Sequence, residues 1–272
     1  MAAPSAILLL LLLSLSSIFV LLAPPCEATD FVLYSNPATA LVPGQNFSYD
    51  MNPHGIPYGP ASLVMQKDCN LVNHHKGKLI WTSNTTGAAG YCYLTVNNYG
   101  SAIIKGNYHY TVWSSPASTA NVSGDHVFIL QWNGGLGVYG PSIWSSTNKG
   151  ELGSSAISAD TTDYVVYSYS VLPAGRIAKY KEFELDLEDS CNLILRRTDT
   201  GKVLWQTNKF SDSCDCFVTL DGNGELFVKH RRREILWRSE TSSKGGLYVL
   251  VLRYDARLVI YGSQVWTTKP FW

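Results

Sequence analysis

The chain is 272 residues long, 46% hydrophobic and 12% aromatic, with a formal charge of zero and only 15% charged residues. That length and apolar content suffice to bury two ordinary cores, and the balanced charge argues against a nucleic-acid partner. Neither Gly-x-Ser-x-Gly nor His-Glu-x-x-His occurs, so two common catalytic layouts are absent, and no catalytic residue, cofactor or metal is expected.

The chain opens on an apolar run, Ala6 to Ala23, broken only by serines and followed by Cys26-Glu27-Ala28. Eighteen such residues could just span a bilayer, and no Lys or Arg precedes them. The terminal position and the small residue at the end favour a cleaved signal peptide over residues 1–28, with Thr29 as the mature start. No later segment is apolar enough to cross a membrane, so we expect a secretory-pathway protein, extracellular or vacuolar, with no span in the mature chain. Six cysteines fit an oxidising compartment. Cys26 would leave with the signal, which makes Cys69 and Cys92 the only pair in the first half. Cys191, Cys214 and Cys216 share the second. Asn46, Asn84 and Asn121 head Asn-x-Ser/Thr sequons and are glycosylation candidates in a secreted chain.

Beyond the leader the signal is strand and turn. Val127–Leu130, Tyr248–Leu252 and Leu258–Tyr261 are short β-branched or aromatic runs, bounded by turn phrases such as Asn133-Gly134-Gly135 and Asp221-Gly222-Asn223-Gly224. Six tryptophans recur about every thirty residues, each followed two places on by Ser or Thr: Trp81, Trp113 and Trp144, then Trp205, Trp237 and Trp266. One supersecondary unit has thus been used six times, in two sets of three. Asp163-Tyr164-Val165-Val166-Tyr167-Ser168 restarts Asp30-Phe31-Val32-Leu33-Tyr34-Ser35. The first half carries an extra stretch around Asn52–Pro57, and the Gly/Ser/Ala-rich residues 147–162 read as a linker open to proteolysis. The division is therefore a first domain over 29–146 and a second over 163–272. Short strands at regular spacing mean an all-β fold. Three equivalent sheets per half would bury each half's tryptophan triad around a pseudo-threefold axis.

One phrase carries chemistry. In Gln66-Lys67-Asp68-Cys69-Asn70-Leu71-Val72-Asn73-His74 the polar Gln, Asp and Asn alternate with other residues, and Val72 and His74 continue the period. In extended backbone this puts them on one face, where Asp68 to Asn70 also turns the chain. Two amides and a carboxylate beside an apolar wall suit a sugar ring, which needs hydrogen bonds for its hydroxyls and a patch against its C–H face.

The phrase resembles the Gln-x-Asp-x-Asn-x-Val-x-Tyr motif of the monocot mannose-binding lectins, the bulb-type or snowdrop-agglutinin family. The tryptophan repeat and the Cys69 and Cys92 pair fit the same family. The resemblance implies two tandem type II β-prism domains, each of three antiparallel sheets with pseudo-threefold symmetry. It also implies metal-independent mannose binding by Gln66, Asp68, Asn70 and Val72, with His74 standing where the family has Tyr. A Cys69–Cys92 disulfide would hold the hairpin that carries Gln66. In the second half, Cys216 follows Trp205 by the same interval as Cys92 follows Trp81, and Cys216-Phe217-Val218-Thr219 matches Cys92-Tyr93-Leu94-Thr95. Cys191 is therefore expected to bond Cys216, leaving Cys214 free or paired between chains.

The other five repeats lose the polar triad: Asn97, Tyr99, Ser101, Ile103, Lys105; Gln131, Asn133, Gly135, Gly137, Tyr139; Glu188, Ser190, Asn192, Ile194, Arg196; Asp221, Asn223, Glu225, Phe227, Lys229; and Arg253, Asp255, Arg257, Val259, Tyr261. Each mismatched group costs on the order of 1–3 kcal/mol, so one near-intact site is expected, in the first half. His74 and His75 are neighbours on a strand and should face opposite ways, which disfavours a shared metal. The expected partners are mannose-type glycans or glycoproteins, with avidity from a homodimer or heterodimer of domains. The alternative is a storage, defence or protein-interaction member of the fold without sugar binding, acting through the basic second half, where all nine arginines lie and His230-Arg231-Arg232-Arg233 marks a hairpin tip.

Overall fold

The computed structural model describes residues 31–49, 60–116, 122–147, 150, 164–211, 215–231 and 234–268. The expected signal segment, the Asn52–Pro57 stretch, Asn121, most of the linker, Cys214 and Arg232–Arg233 lie outside the described residues.

In chain order the first half holds β1 (Val32–Tyr34), β2 (Asn46–Tyr49), β3 (Ala61–Met65), β4 (Leu71–His75), β5 (Lys78–Thr82), β6 (Tyr93–Val96), β7 (Ala102–Lys105), β8 (Thr111–Ser114), β9 (Val127–Leu130), β10 (Leu136–Tyr139) and β11 (Ser142–Ser145). The second half holds β12 (Val165–Tyr167), β13 (Val171–Pro173), β14 (Gly175–Tyr180), β15 (Phe183–Leu187), β16 (Leu193–Arg197), β17 (Val203–Gln206), β18 (Cys216–Leu220), β19 (Leu226–His230), β20 (Ile235–Arg238), β21 (Tyr248–Leu252), β22 (Leu258–Gly262) and β23 (Gln264–Thr267). The only helical segment among the described residues is a single 3₁₀ turn at Asn107–His109. Among the described residues all pairings are antiparallel, in six sheets. The first unit has β2-β3-β4-β5, β6-β7-β8 and β1-β9-β10-β23; the second has β14-β15-β16-β17, β13-β18-β19-β20 and β11-β22-β21-β12. The all-β, three-sheet expectation for each unit holds.

The repeat is visible in the backbone. The N–H of Gln66, Asn97, Gln131, Glu188, Asp221 and Arg253 each donates to the carbonyl four residues on, at 2.8–3.0 Å. Their carbonyls in turn accept the N–H three residues on. The third residue of each turn is left-handed: Cys69, Gly100, Gly134, Cys191, Gly224 and Ala256. The recurring Ser or Thr after each Trp has one job in all six repeats. Its hydroxyl accepts the first N–H of the inner strand, as from Leu71 to Ser83 at 2.9 Å and from Leu193 to Thr207 at 3.1 Å. A buried N–H that would otherwise lack a partner is thereby satisfied, so the Trp-x-Ser/Thr phrase is a strand lock.

The tryptophan triads differ from expectation. Trp81 and Trp113 are edge-to-face at 5.5 Å, and the third ring beside Trp113 is Trp266, at 6.0 Å. Trp144 instead joins Trp205 at 5.9 Å and Trp237 at 6.2 Å. The units have exchanged their last strands: β23 pairs with β10, and β11 pairs with β22. The locks cross too, with Leu136 N–H donating to Thr268 Oγ1 and Leu258 N–H to Ser146 Oγ. The crossing chains bond each other, Gly262 N–H to the Pro141 carbonyl and Gly140 N–H to the Ser263 carbonyl. At Gly140 (φ +146°) a Cβ would lie 2.4 Å from the His126 ring, so this crossing demands glycine. The reason for the exchange is equivalence. Both third repeats end in the same phrase, so either terminal strand fits either sheet, and crossing buries both while tying the halves together.

The rings are half-buried rather than fully buried. Each triad closes the core at one end of its axis, and in the second unit that end opens into a cavity of about 650 Å³ lined by Trp144, Trp205, Trp237, Arg238 and Glu240. The fully buried core lies beneath, in Leu63, Leu71, Leu94 and Ile104 and their counterparts Leu185, Leu193, Val218 and Val228. Phe31 stacks on Tyr164 (4.4 Å) and donates its N–H to that hydroxyl, which seals the two strand starts against each other. Disulfides close Cys69–Cys92 and Cys191–Cys216, with Cα atoms 5.2 and 5.6 Å apart.

Candidate functional site

The alternation of β4 sorts its side chains cleanly. Leu71, Asn73 and His75 face the core, while Val72 and His74 lie on the outer face with Asn70. His74 and His75 thus point to opposite faces, and no group of metal-ligating side chains occurs among the described residues. Val64 and Thr82 flank Val72 across the ladder, and Ser62 and Leu79 flank His74. Gln66 and Asp68 stand exposed on the turn above, Asn70 and His74 are half-buried, and Val72 is a ledge at 6% exposure. Asn70, Val72 and His74 therefore share the outer face of β4, beneath the turn that carries Gln66 and Asp68.

The turn is held from below. Asp68 Oδ1 accepts the Asn70 N–H at 3.0 Å, and the Asp68 carbonyl accepts Gly87 N–H at 2.7 Å. Asn70 Oδ1 accepts from Thr82 Oγ1 (2.9 Å), Ser83 Oγ (3.1 Å) and Thr85 N–H (3.3 Å). Three donors on one oxygen fix the amide, so Nδ2 is the group left for a ligand. Thr85 Oγ1 also donates to the Cys69 carbonyl at 2.6 Å, and the disulfide anchors the same residue. Neither Gln66 nor His74 spends its side chain on another described residue. Thr82, Ser83 and Thr85 are the positioning residues that the motif alone does not reveal; the signal for them is the Trp81-Thr82-Ser83 phrase on and just after the neighbouring β5.

In the other five hairpins the groups at the Gln66, Asp68 and Asn70 positions are replaced or spent within the protein. In the second, Asn97 Oδ1 accepts the N–H of Tyr99 and of Ser101. In the third, Gln131 Nε2 donates to the Tyr139 hydroxyl at 2.5 Å, and Gln264 of the exchanged β23 donates to it at 2.9 Å. Burial holds that hydroxyl protonated well above the usual tyrosine range. Gly135 and Gly137 make this collapse possible, since a Cβ at either would lie within 2.7 Å of the Gln131 amide. In the fourth, Arg196 bridges Glu188 and Asp186, both at 3.2 Å. In the fifth, Asp221 Oδ1 is committed to the N–H groups of Asn223 and Glu225. In the sixth, buried Arg253 donates to the Tyr261 hydroxyl at 2.6 Å and to the Asn36 carbonyl at 3.0 Å.

Of the glycosylation candidates, Asn46 is exposed at the start of β2, and Asn84 is exposed in a left-handed turn after β5. Arg231 is exposed beside Asp215, 3.4 Å away. No helix among the described residues is long and apolar enough to cross a membrane.

No protein-family model matches the chain. It is similar to the mannose-specific lectin CEA of Colocasia esculenta, 34% identical over 242 residues that cover 86% of this chain and 88% of the relative. Mannose-specific lectin 1 of Crocus vernus is 31% identical over 216 residues, 78% of this chain and 80% of the relative. Among solved structures, the native fetuin-binding agglutinin of Scilla campanulata, a two-domain lectin, superposes with a TM-score of 0.74 at 28% identity, covering 88% of this chain and all of that one. A repeated Trp-locked hairpin, six sheets in two three-sheet units and relatives aligned over most of its length place the chain in the monocot mannose-binding, bulb-type lectin family, with the two-domain β-prism architecture.

Proposed function

We propose that the protein is a secreted, non-enzymatic lectin that binds mannose or mannose-containing glycans mainly through the first hairpin of its first unit. One observation carries this reading. Of six hairpins with the same backbone, the first alone presents Gln66, Asp68 and Asn70 outward beside the Val72 ledge, while the other five satisfy or replace their equivalents internally. The mannose-specific relatives support the same sugar class. In this reading Gln66 and Asp68 hold vicinal hydroxyls, Asn70 donates through Nδ2, Val72 packs on the ring carbons, and His74 offers a ring nitrogen over part of the reach of a tyrosine. The leader-like first 28 residues support passage through the secretory pathway to the cell exterior or vacuole.

A single monosaccharide site of this kind binds near the millimolar scale, about −4 kcal/mol, so useful avidity needs association of copies. The test is titration of methyl mannoside, with chelator present, into the mature protein and into Asp68→Ala. Binding by the first and not the second is expected. Equal binding, or none even to multivalent high-mannose glycans, removes the reading.

A further inference from the structure

The second and fifth hairpins have diverged from the sugar motif in the same direction. In the first hairpin the outer face of the sheet reads Val64–Val72–Thr82 across one rung and Ser62–His74–Leu79 across the next. The corresponding rungs are Thr95–Ile103–Ser114 and Tyr93–Lys105–Thr111 in the second hairpin. In the fifth they are Thr219–Phe227–Arg238 and Phe217–Lys229–Ile235. Both thus keep a threonine beside an apolar ledge, and both set a lysine in the His74 position opposite an aromatic ring. An aromatic face takes the C–H side of a pyranose, and an ammonium takes an anion.

The two copies differ in what surrounds the lysine. Lys229 lies over the Phe227 ring, 3.9 Å from its centroid, with Asp221 and Glu225 on the adjoining turn. Its ammonium is thus already engaged by an aromatic face of its own hairpin. Lys105 is half-buried and has no carboxylate or other partner among the described residues. Tyr93 opposite it is held by His109, whose Nδ1 lies 2.7 Å from the tyrosine hydroxyl with the rings edge-to-face. The loop that brings His109 there has two consecutive left-handed non-glycine residues, Tyr108 (φ 58°) and His109 (φ 63°). It also leaves Tyr108 97% exposed at its tip. Such conformations are unfavourable for side-chain-bearing residues and concentrate where they position something. Here the positioned group is the Tyr93 ring beside an uncompensated cation.

We propose that this face is a second carbohydrate site, selective for sugars that bear a carboxylate: the acid pairs with Lys105, the ring lies on Tyr93, and the Ile103 ledge and the Thr111 hydroxyl complete the contact. Uronic and sialic acids share this chemistry, so the test has an arm for each. Oligogalacturonate and sialyllactose are titrated into the mature protein beside the neutral galactan and lactose. At least one acid should bind about tenfold more tightly than its neutral counterpart, and the arm that does so names the source. Lys105→Met should remove that preference, Lys105→Arg should keep it, and Lys229→Met should leave it unchanged, with melting temperatures confirming that each variant folds. Asp68→Ala should also leave it unchanged, which separates this site from the mannose reading. Equal affinity for acid and neutral sugars, or an unaltered preference in Lys105→Met, overturns the proposal.

Discussion

The hairpin at Gln66 and its counterpart at Glu188 share a scaffold and diverge in outcome. Both turn on a left-handed, disulfide-bonded cysteine (Cys69, Cys191), both follow it with asparagine (Asn70, Asn192), and both offer an aliphatic ledge (Val72, Ile194). In the first, Asn70 gives its oxygen to Thr82, Ser83 and Thr85 and keeps its amide nitrogen outward. In the second, Asn192 takes Thr207 on its oxygen and gives its nitrogen to Gln206, at 2.9 Å. Where the first hairpin has Thr82 on the neighbouring strand the fourth has Gln206, whose side-chain oxygen takes up the amide nitrogen. Around it Val64 has become Asp186, Gln66 has become Glu188 and His74 has become Arg196, so an ion-paired network fills the face where a ligand would lie. A binding face in this fold is lost less by decay of the backbone than by satisfaction of its polar atoms from within.

The exchanged strands make the comparison sharpest at the chain's end. Truncation after Tyr261 removes β23, yet the unit expected to fail is the first, whose third sheet and Trp266 it supplies. The expected loss is on the order of a domain's whole stability, about 5–15 kcal/mol, read as disappearance of mannoside binding and of amide protection in strands β1 to β10. Trp266→Ala should act on the same half at about 3 kcal/mol, toward the lower end for a large core deletion because the ring is only half-buried. If hydrogen exchange shows the second unit opening instead, the exchange is not the solution structure. The disulfides should behave alike despite their different pockets. Cys69→Ala and Cys191→Ala each release a loop of similar length, with sequence separations of 23 and 25, so each should cost about 3 kcal/mol in chemical denaturation.

Much of this was legible in the chain. The tryptophan phrase located every hairpin, and laying the repeats over one another paired Cys191 with Cys216 because the interval from Trp is shared. Strand alternation put Val72 and His74 on one face of β4 and His75 on the other. The exchange of β11 and β23 was not legible, because the feature that reveals six equivalent repeats hides which copy a strand joins. The half-burial of the tryptophans is hidden for a related reason: period shows that rings converge but not that the axis of the second unit opens above them. The closing of the third hairpin needed three dimensions as well, since Gln131 and Tyr139 keep their motif positions and collapse only through the space at Gly135 and Gly137.

A smaller effect separates the two locks. Ser83→Ala and Thr207→Ala each leave a buried N–H without its partner, at Leu71 and Leu193, and each should cost about 1–2 kcal/mol. Only the first should also weaken mannoside binding, because Ser83 helps fix the Asn70 oxygen. A loss of sugar affinity in Thr207→Ala, with Ser83→Ala unaffected, would reverse the assignment of the working hairpin.

The smallest expected effect lies in the pH dependence of the filled face. Burial, with the hydrogen bond and negative charge of Glu184, pushes the Asp186 carboxyl up to about 6 against the partial opposition of Arg196 and Arg176. In the unfolded chain the same group titrates near an ordinary aspartate value, about 3.9. Between these two values the folded state holds the proton more firmly than the unfolded state does. The stability this contributes is therefore complete below about pH 4 and is lost as pH rises through about 6. Asp186→Asn keeps the shape, removes the titration and should flatten the stability profile across that window in urea unfolding series. In the first unit the equivalent position is the uncharged Val64, opposite Val72, so Val64→Asn should leave the slope between pH 4 and 6 as it is. An unchanged slope in Asp186→Asn would mean that Arg196 and its carboxylates keep the fourth face charged throughout, and that it is closed by ion pairing alone.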